Sequence, residues 1–219
     1  MEDWLSDPLM VFDSSKGSFT YRKPNIADTE VDKWQSFHFT TRLKLEGAVH
    51  FLRQLFGSVS LPEDKGLYLL AHRQMLWYAD AFFFELCSAY DTLLQELNII
   101  YSVGLGMGQV KWSAIEPKLP GKLVEIMEKE WDADWFKKVR WYRNRATHHL
   151  RTATARSTMG WGELPWHQKV TGVDILYFNE ETNKFEPEDI KVCEHYLEKM
   201  IDLIHTVWSE MAEKFNQDD

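Results

Sequence analysis

Cysteine is nearly missing from this chain. There are two in 219 residues, at positions 87 and 193, and both fall inside apolar helical patterns. That excludes a disulfide framework, a CxxC redox site and a zinc-finger ligand set, and neither position has a nucleophile's setting. Long hydrophobic runs are missing too. No stretch of 18 uncharged apolar residues exists, so no membrane span and no membrane partner are expected. The opening Met1-Glu2-Asp3-Trp4 has neither a basic nor an apolar leader region, so no signal peptide is expected and the expected location is cytoplasmic. Positive charge is in deficit, with 25 Lys and Arg against 34 Asp and Glu and a net charge of −9. A globally basic nucleic-acid protein is thereby excluded, though a local basic patch is not. What the chain has is apolar surface. It is 44% hydrophobic and 14% aromatic, with ten Trp and thirteen Phe, which is incompatible with disorder and sufficient for one sizeable core.

Residues 1–35 carry weak periodicity and scattered Ser, Gly, Pro and Asp, which predicts an extended N-terminal arm with a short strand at Ser18–Arg22. From about Trp34 the pattern turns helical, with Leu43, Leu45, Val49, Leu52 and Phe56 at three- and four-residue steps. Leu61-Pro62-Glu63-Asp64 reads as the start of the next helix. From Met75 to Tyr90 apolar residues point in every direction, as in a central helix buried on all sides, interrupted by Asp80 and Glu85, with Asp91 just beyond. Gly104-Leu105-Gly106-Met107-Gly108 follows as a helix stop and loop; a nucleotide fingerprint would instead follow a strand and open a helix. Two further helices are predicted at about 118–130 and 132–156. Val170, Val173, Ile175, Tyr177 and Phe178, the polar run 179–183, then Lys184-Phe185 predict a β-hairpin inserted at about 170–186. A last helix carries the stripe Ile190, Cys193, Leu197, Met200, Ile204, Val207, Met211 and Phe215. The expected class is all-α: a four- to five-helix bundle forming one domain over 36–219, with a small β-hairpin insertion.

The most unusual segment runs from Lys137 to Arg156. It holds Lys137, Lys138, Arg140, Arg143, Arg145, Arg151 and Arg156 with His148 and His149, and no acid. The remaining 18 of the 25 basic residues share the rest of the chain with all 34 acids. Such a segment is either a solvated face or an anion site, and charge alone does not choose between them. On a helical wheel, Trp135, Val139, Tyr142, Ala146, Leu150 and Ala153 form the apolar stripe, and Lys137, Asn144, His148 and Arg151 cluster opposite. Asn144 and His148 are one turn apart and so are neighbours. Arg143 lies about 40° from the middle of the apolar stripe, towards the interior. There it calls for a carboxylate, with Glu85 and Asp91 as the candidates.

Arg143-Asn144-Arg145-Ala146-Thr147-His148 resembles the R-x4–6-H motif of the HEPN superfamily, in a bacterial-type branch, where a polar residue commonly follows the Arg. The motif sits late in a helix of a small α-bundle, as here, and Ala89–Asn98 is similar to part of the family's long second helix. By helix layout the resemblance spans roughly residues 40–215. It implies a HEPN-like bundle, a homodimer whose two motifs meet in one cleft, and RNA as ligand, with a protein antitoxin as a further partner where members act as toxins. Many members are metal-independent endoribonucleases and others are inactive modules. Carried onto this chain, Arg143, Asn144 and His148 are the expected catalytic residues, with Lys137, Arg140, Arg145, His149 and Arg151 as RNA contacts. His148 would move protons near neutral pH while Arg143 and Asn144 hold phosphate oxygens. No cofactor is expected. Two alternatives stand beside this one: a catalytically silent interaction module in which Arg143 and His148 are structural, and a metal- or nucleotide-binding bundle enzyme. For the latter the chain offers no His-Glu-x-x-His, and Asp202-x-x-His205 is its one acid-x-x-His pair on a convincing helix.

Overall fold

A computed structural model describes residues 7–59, 65–148, 156–161, 168–179 and 181–215. These are mostly helical with small β-elements, in the order β1 (Met10–Asp13), β2 (Ser18–Tyr21), α1 (Asp28–Val59), α2 (Lys65–Ile100), α3 (Trp112–Ile115), α4 (Gly121–Trp131), α5 (Asp134–His148), β3 (Arg156–Trp161), β4 (Gln168–Asn179), β5 (Lys184–Asp189) and α6 (Val192–Met211). They group into two compact units. One holds Met1–Lys44, Ser88–Ala133 and Glu198–Asp219, the other Leu45–Cys87 and Asp134–Leu197.

In the first unit β1 and β2 form an antiparallel hairpin with Met10 opposite Tyr21 and Asp13 opposite Ser18. The predicted strand at 18–22 is β2. α1 begins at Asp28, so residues 28–35 are helical and do not continue the arm. Asp28 and Glu30 in its first turn lie where the helix dipole favours acids. Pro24 bridges to Phe215, and the Asn25 amide donates to the Lys214 carbonyl at 2.9 Å, which fixes the entry to α1. The buried side of this unit's part of α1 carries Trp34, His38 and Thr41, at steps of four and three, and Leu45 continues it four residues on, in the second unit. Leu93, Leu94, Leu97, Trp112, Ile115, Leu123, Met127, Ile204, Val207 and Trp208 are among the other buried residues of this unit's core. After α2, Gly104 takes φ +78°, the left-handed region that favours glycine. Asn98 clamps the turn, accepting from the Leu105 amide and donating to the Leu105 carbonyl, each at 3.0 Å. The predicted helix stop is there.

In the second unit Phe82, Phe83, Leu86, Phe136, Val139 and Tyr142 are buried, and Phe83 stacks on Tyr142 with centroids 4.4 Å apart. Gly47 lets α1 approach α2: a Cβ there would meet the Glu85 side chain at 3.3 Å. β3, β4 and β5 form an antiparallel sheet with a register shift between Ser157 and Met159. The β4–β5 hairpin is the predicted insertion, with Asn179 opposite Lys184 and Asn183 at φ +52° in its turn.

Three further sequence readings change. Trp77 and Phe84 are 57% and 44% exposed, so α2 is not buried on every side. Leu43, placed on the apolar stripe of α1, is 51% exposed, because Trp34, His38, Thr41 and Leu45 define the buried side instead. Arg156, expected at the end of the helix that became α5, belongs to strand β3. The helix start predicted at 61–64 lies outside the described residues. By contrast, all eight residues of the stripe predicted for 190–215 are buried. No helix among the described residues is long and apolar enough to cross a membrane.

Candidate nucleic-acid interface

The basic segment folds as α5, whose apolar positions Trp135, Val139 and Tyr142 are buried as the wheel requires. Asp134 at its first position is its one acid. Lys137 and Asn144, seven residues apart and so on one side of the helix, are exposed. Arg143 is half-buried, and its Nη1 donates to the Asn144 Oδ1 at 3.2 Å. The two motif side chains therefore make one pair at the surface. His148 closes α5 as its last described residue. Its side chain lies outside the described residues, as do His149 and Arg151.

The other cations of α5 have aromatic or acidic neighbours. The Arg140 guanidinium sits 5.2 Å from the centre of the Phe136 ring. Arg145 lies between two rings, 5.2 Å from Trp141 and 4.9 Å from Phe185 of β5. Lys138 pairs with Glu188 of β5 and reaches over the Tyr177 ring at 5.2 Å. Glu188 also accepts from the Tyr142 hydroxyl at 2.8 Å and the Tyr196 hydroxyl at 3.1 Å. Burial first, and the Glu188 charge second, hold both phenols well above their ordinary range. The same two causes raise the Cys193 thiol, which is fully buried and so stays protonated. Of the two carboxylates proposed for Arg143, Glu85 is half-buried against Gly47 and Asp91 is exposed. Asp202 is exposed, while His205 stacks on Trp208 at 5.8 Å. No group of three or more His, Cys, Asp or Glu among the described residues is arranged to hold a metal.

A second polar cluster escaped the sequence reading. In the first unit His38 is wholly buried between two buried carboxylates. Its Nδ1 meets Glu96 at 2.7 Å and its Nε2 meets Asp7 at 2.7 Å. Glu96 also accepts from the Thr41 hydroxyl at 2.5 Å and the Trp208 indole at 3.2 Å, and Asp7 accepts from the Leu9 amide at 2.9 Å. Arg42 stands 3.6 Å from Asp7. Trp34 stacks on the ring and Tyr21 meets it edge-on. Burial alone would push His38 down; the charges and hydrogen bonds of Glu96 and Asp7 outweigh it and raise the pKa to about 9. At neutral pH the ring is an imidazolium donating from both nitrogens, shut away from solvent, so it is a cross-link and not a proton carrier. The available signal was a register: His38 and Thr41 occupy core positions of α1 between Trp34 and Leu45, and polar residues in such positions need partners.

Compared with known protein families, with curated proteins and with solved structures, the chain matches none.

Proposed function

We propose that this chain is an RNA-binding, HEPN-like protein that works as a cytoplasmic homodimer and cleaves RNA without a metal. The observation that carries the reading is the Arg143–Asn144 pair on the exposed side of α5, in line with Lys137 and followed one turn later by His148. A guanidinium, an amide and an ammonium along α5, which carries no acid from Lys137 to His148, suit a phosphodiester backbone. His148 takes the proton of a 2′-hydroxyl, whose oxygen attacks phosphorus. The partner subunit's His148 gives a proton to the departing 5′-oxygen, leaving a 2′,3′-cyclic phosphate. Arg143 and Asn144 stabilise the charge on the phosphorane. A toxin role with an antitoxin partner would follow from such an activity.

Titrating RNA binding against salt tests the reading. Affinity should fall linearly on a log–log plot, with a slope of about −0.7 per phosphate contact on a single strand. Lys137→Ala should make that slope shallower by about one contact. Salt-independent binding, or none, contradicts it. The engagement of Lys138 and Arg145 with the β-hairpin favours a second reading, a catalytically silent interaction module, which predicts no cleavage under any condition.

A further inference from the structure

Three cations of α5 stand close together in sequence but in different surroundings. Lys137 is exposed. Lys138, its neighbour, is 29% exposed and paired with the Glu188 carboxylate over the Tyr177 ring. Arg145 is stacked between Trp141 and Phe185. Lys138, Tyr142 and Arg145 follow at i, i+4 and i+7, so they form one stripe. The β4–β5 hairpin meets that stripe at Glu188 and Phe185. An ammonium whose charge is already met by a carboxylate gains little from a phosphate and releases no further counterion.

We propose that the β4–β5 hairpin sets the edge of the RNA-binding face, with Glu188 and Phe185 withdrawing Lys138 and Arg145 from phosphate contact and leaving Lys137 and the Arg143–Asn144 pair to make it. This rests on the RNA-binding reading above and deepens it. Glu188 then tunes the affinity and its salt dependence, because it limits how many phosphates α5 engages. Arg145, assigned to RNA by its charge, becomes a clamp that holds the hairpin.

A charge cycle on the pair tests this. Glu188→Gln keeps an acceptor oxygen for the tyrosine hydroxyls and releases the Lys138 charge. RNA affinity at low salt should rise severalfold and the salt slope should steepen by about 0.7. Lys138→Met leaves the carboxylate uncompensated and should weaken binding. The double variant restores a neutral pair and should match the wild type in affinity and slope. A double variant that loses as much as Lys137→Ala would show Lys138 touching phosphate, and would overturn the proposal. Acylation footprinting of the wild-type protein needs no variant to fold. RNA should protect Lys137 and leave the slow acylation of Lys138 unchanged; equal protection of both overturns the proposal while RNA binding itself stands. A wild type that binds no RNA overturns both.

Discussion

At the scale of single residues, His38 is the group on which most depends. Its two nitrogens hold carboxylates from outside α1, Asp7 before β1 and Glu96 on α2, and its faces are covered by aromatic rings. Breaking a buried ionic network by removing one partner typically costs about 3–5 kcal/mol, because the remaining charges stay buried. We expect His38→Gln to lose stability on that scale in urea denaturation. The pH dependence has a definite sign. The folded-state pKa of about 9 lies above the ordinary 6.5, so the imidazolium's contribution is fully present below pH 6.5 and is lost as pH rises through 9. Melting temperature should fall over that window in the wild type, and fall less in His38→Gln. Parallel profiles for the two proteins would show that this ring does not carry the charge. None of this was legible by composition, since partners 31 and 58 residues away cannot be found by counting along one helix.

Among elements, the helices with a clean 3.6-residue stripe were the most legible, and α6 is the best case, with every residue of its predicted stripe buried. Elsewhere the pattern misled for physical reasons. The aromatic wealth of α2 concealed an exposed side at Trp77 and Phe84, because apolar identity says nothing about exposure when every direction is apolar. Basic residues on α5 looked equivalent by charge, yet the hairpin divides them, and sequence spacing within one helix cannot show what a distant strand will cover. The end of α2 was readable because its glycines mark it, whereas the Asn98 clamp that holds the turn was not. Asn98→Ala removes both hydrogen bonds to Leu105 and should destabilise by about 1–3 kcal/mol. Gly104→Ala meets no atom within 4 Å and has only backbone strain to overcome, so about 1–2 kcal/mol is expected. Equal urea midpoints for Gly104→Ala and wild type would contradict the left-handed turn.

For the whole molecule, the helical class with small β-insertions could be read from periodicity, whereas the function rests on one short motif and the surface it occupies. The half-buried Arg143 paired with the exposed Asn144 is where that motif reaches the surface, and His148 is the residue that would turn binding into chemistry. A shared site needs two chains, so sedimentation should give twice the 25.9 kDa chain mass at micromolar concentration. A monomer at all such concentrations would remove the second imidazole. The most direct measurement is RNA cleavage in EDTA by wild type and by His148→Ala side by side. The account predicts wild-type cleavage that survives EDTA, peaks at roughly pH 6–8 and leaves 2′,3′-cyclic phosphate or 3′-phosphate ends, with His148→Ala inactive but still bound to RNA. Intact RNA with the wild type, or equal cleavage by both proteins, would contradict it.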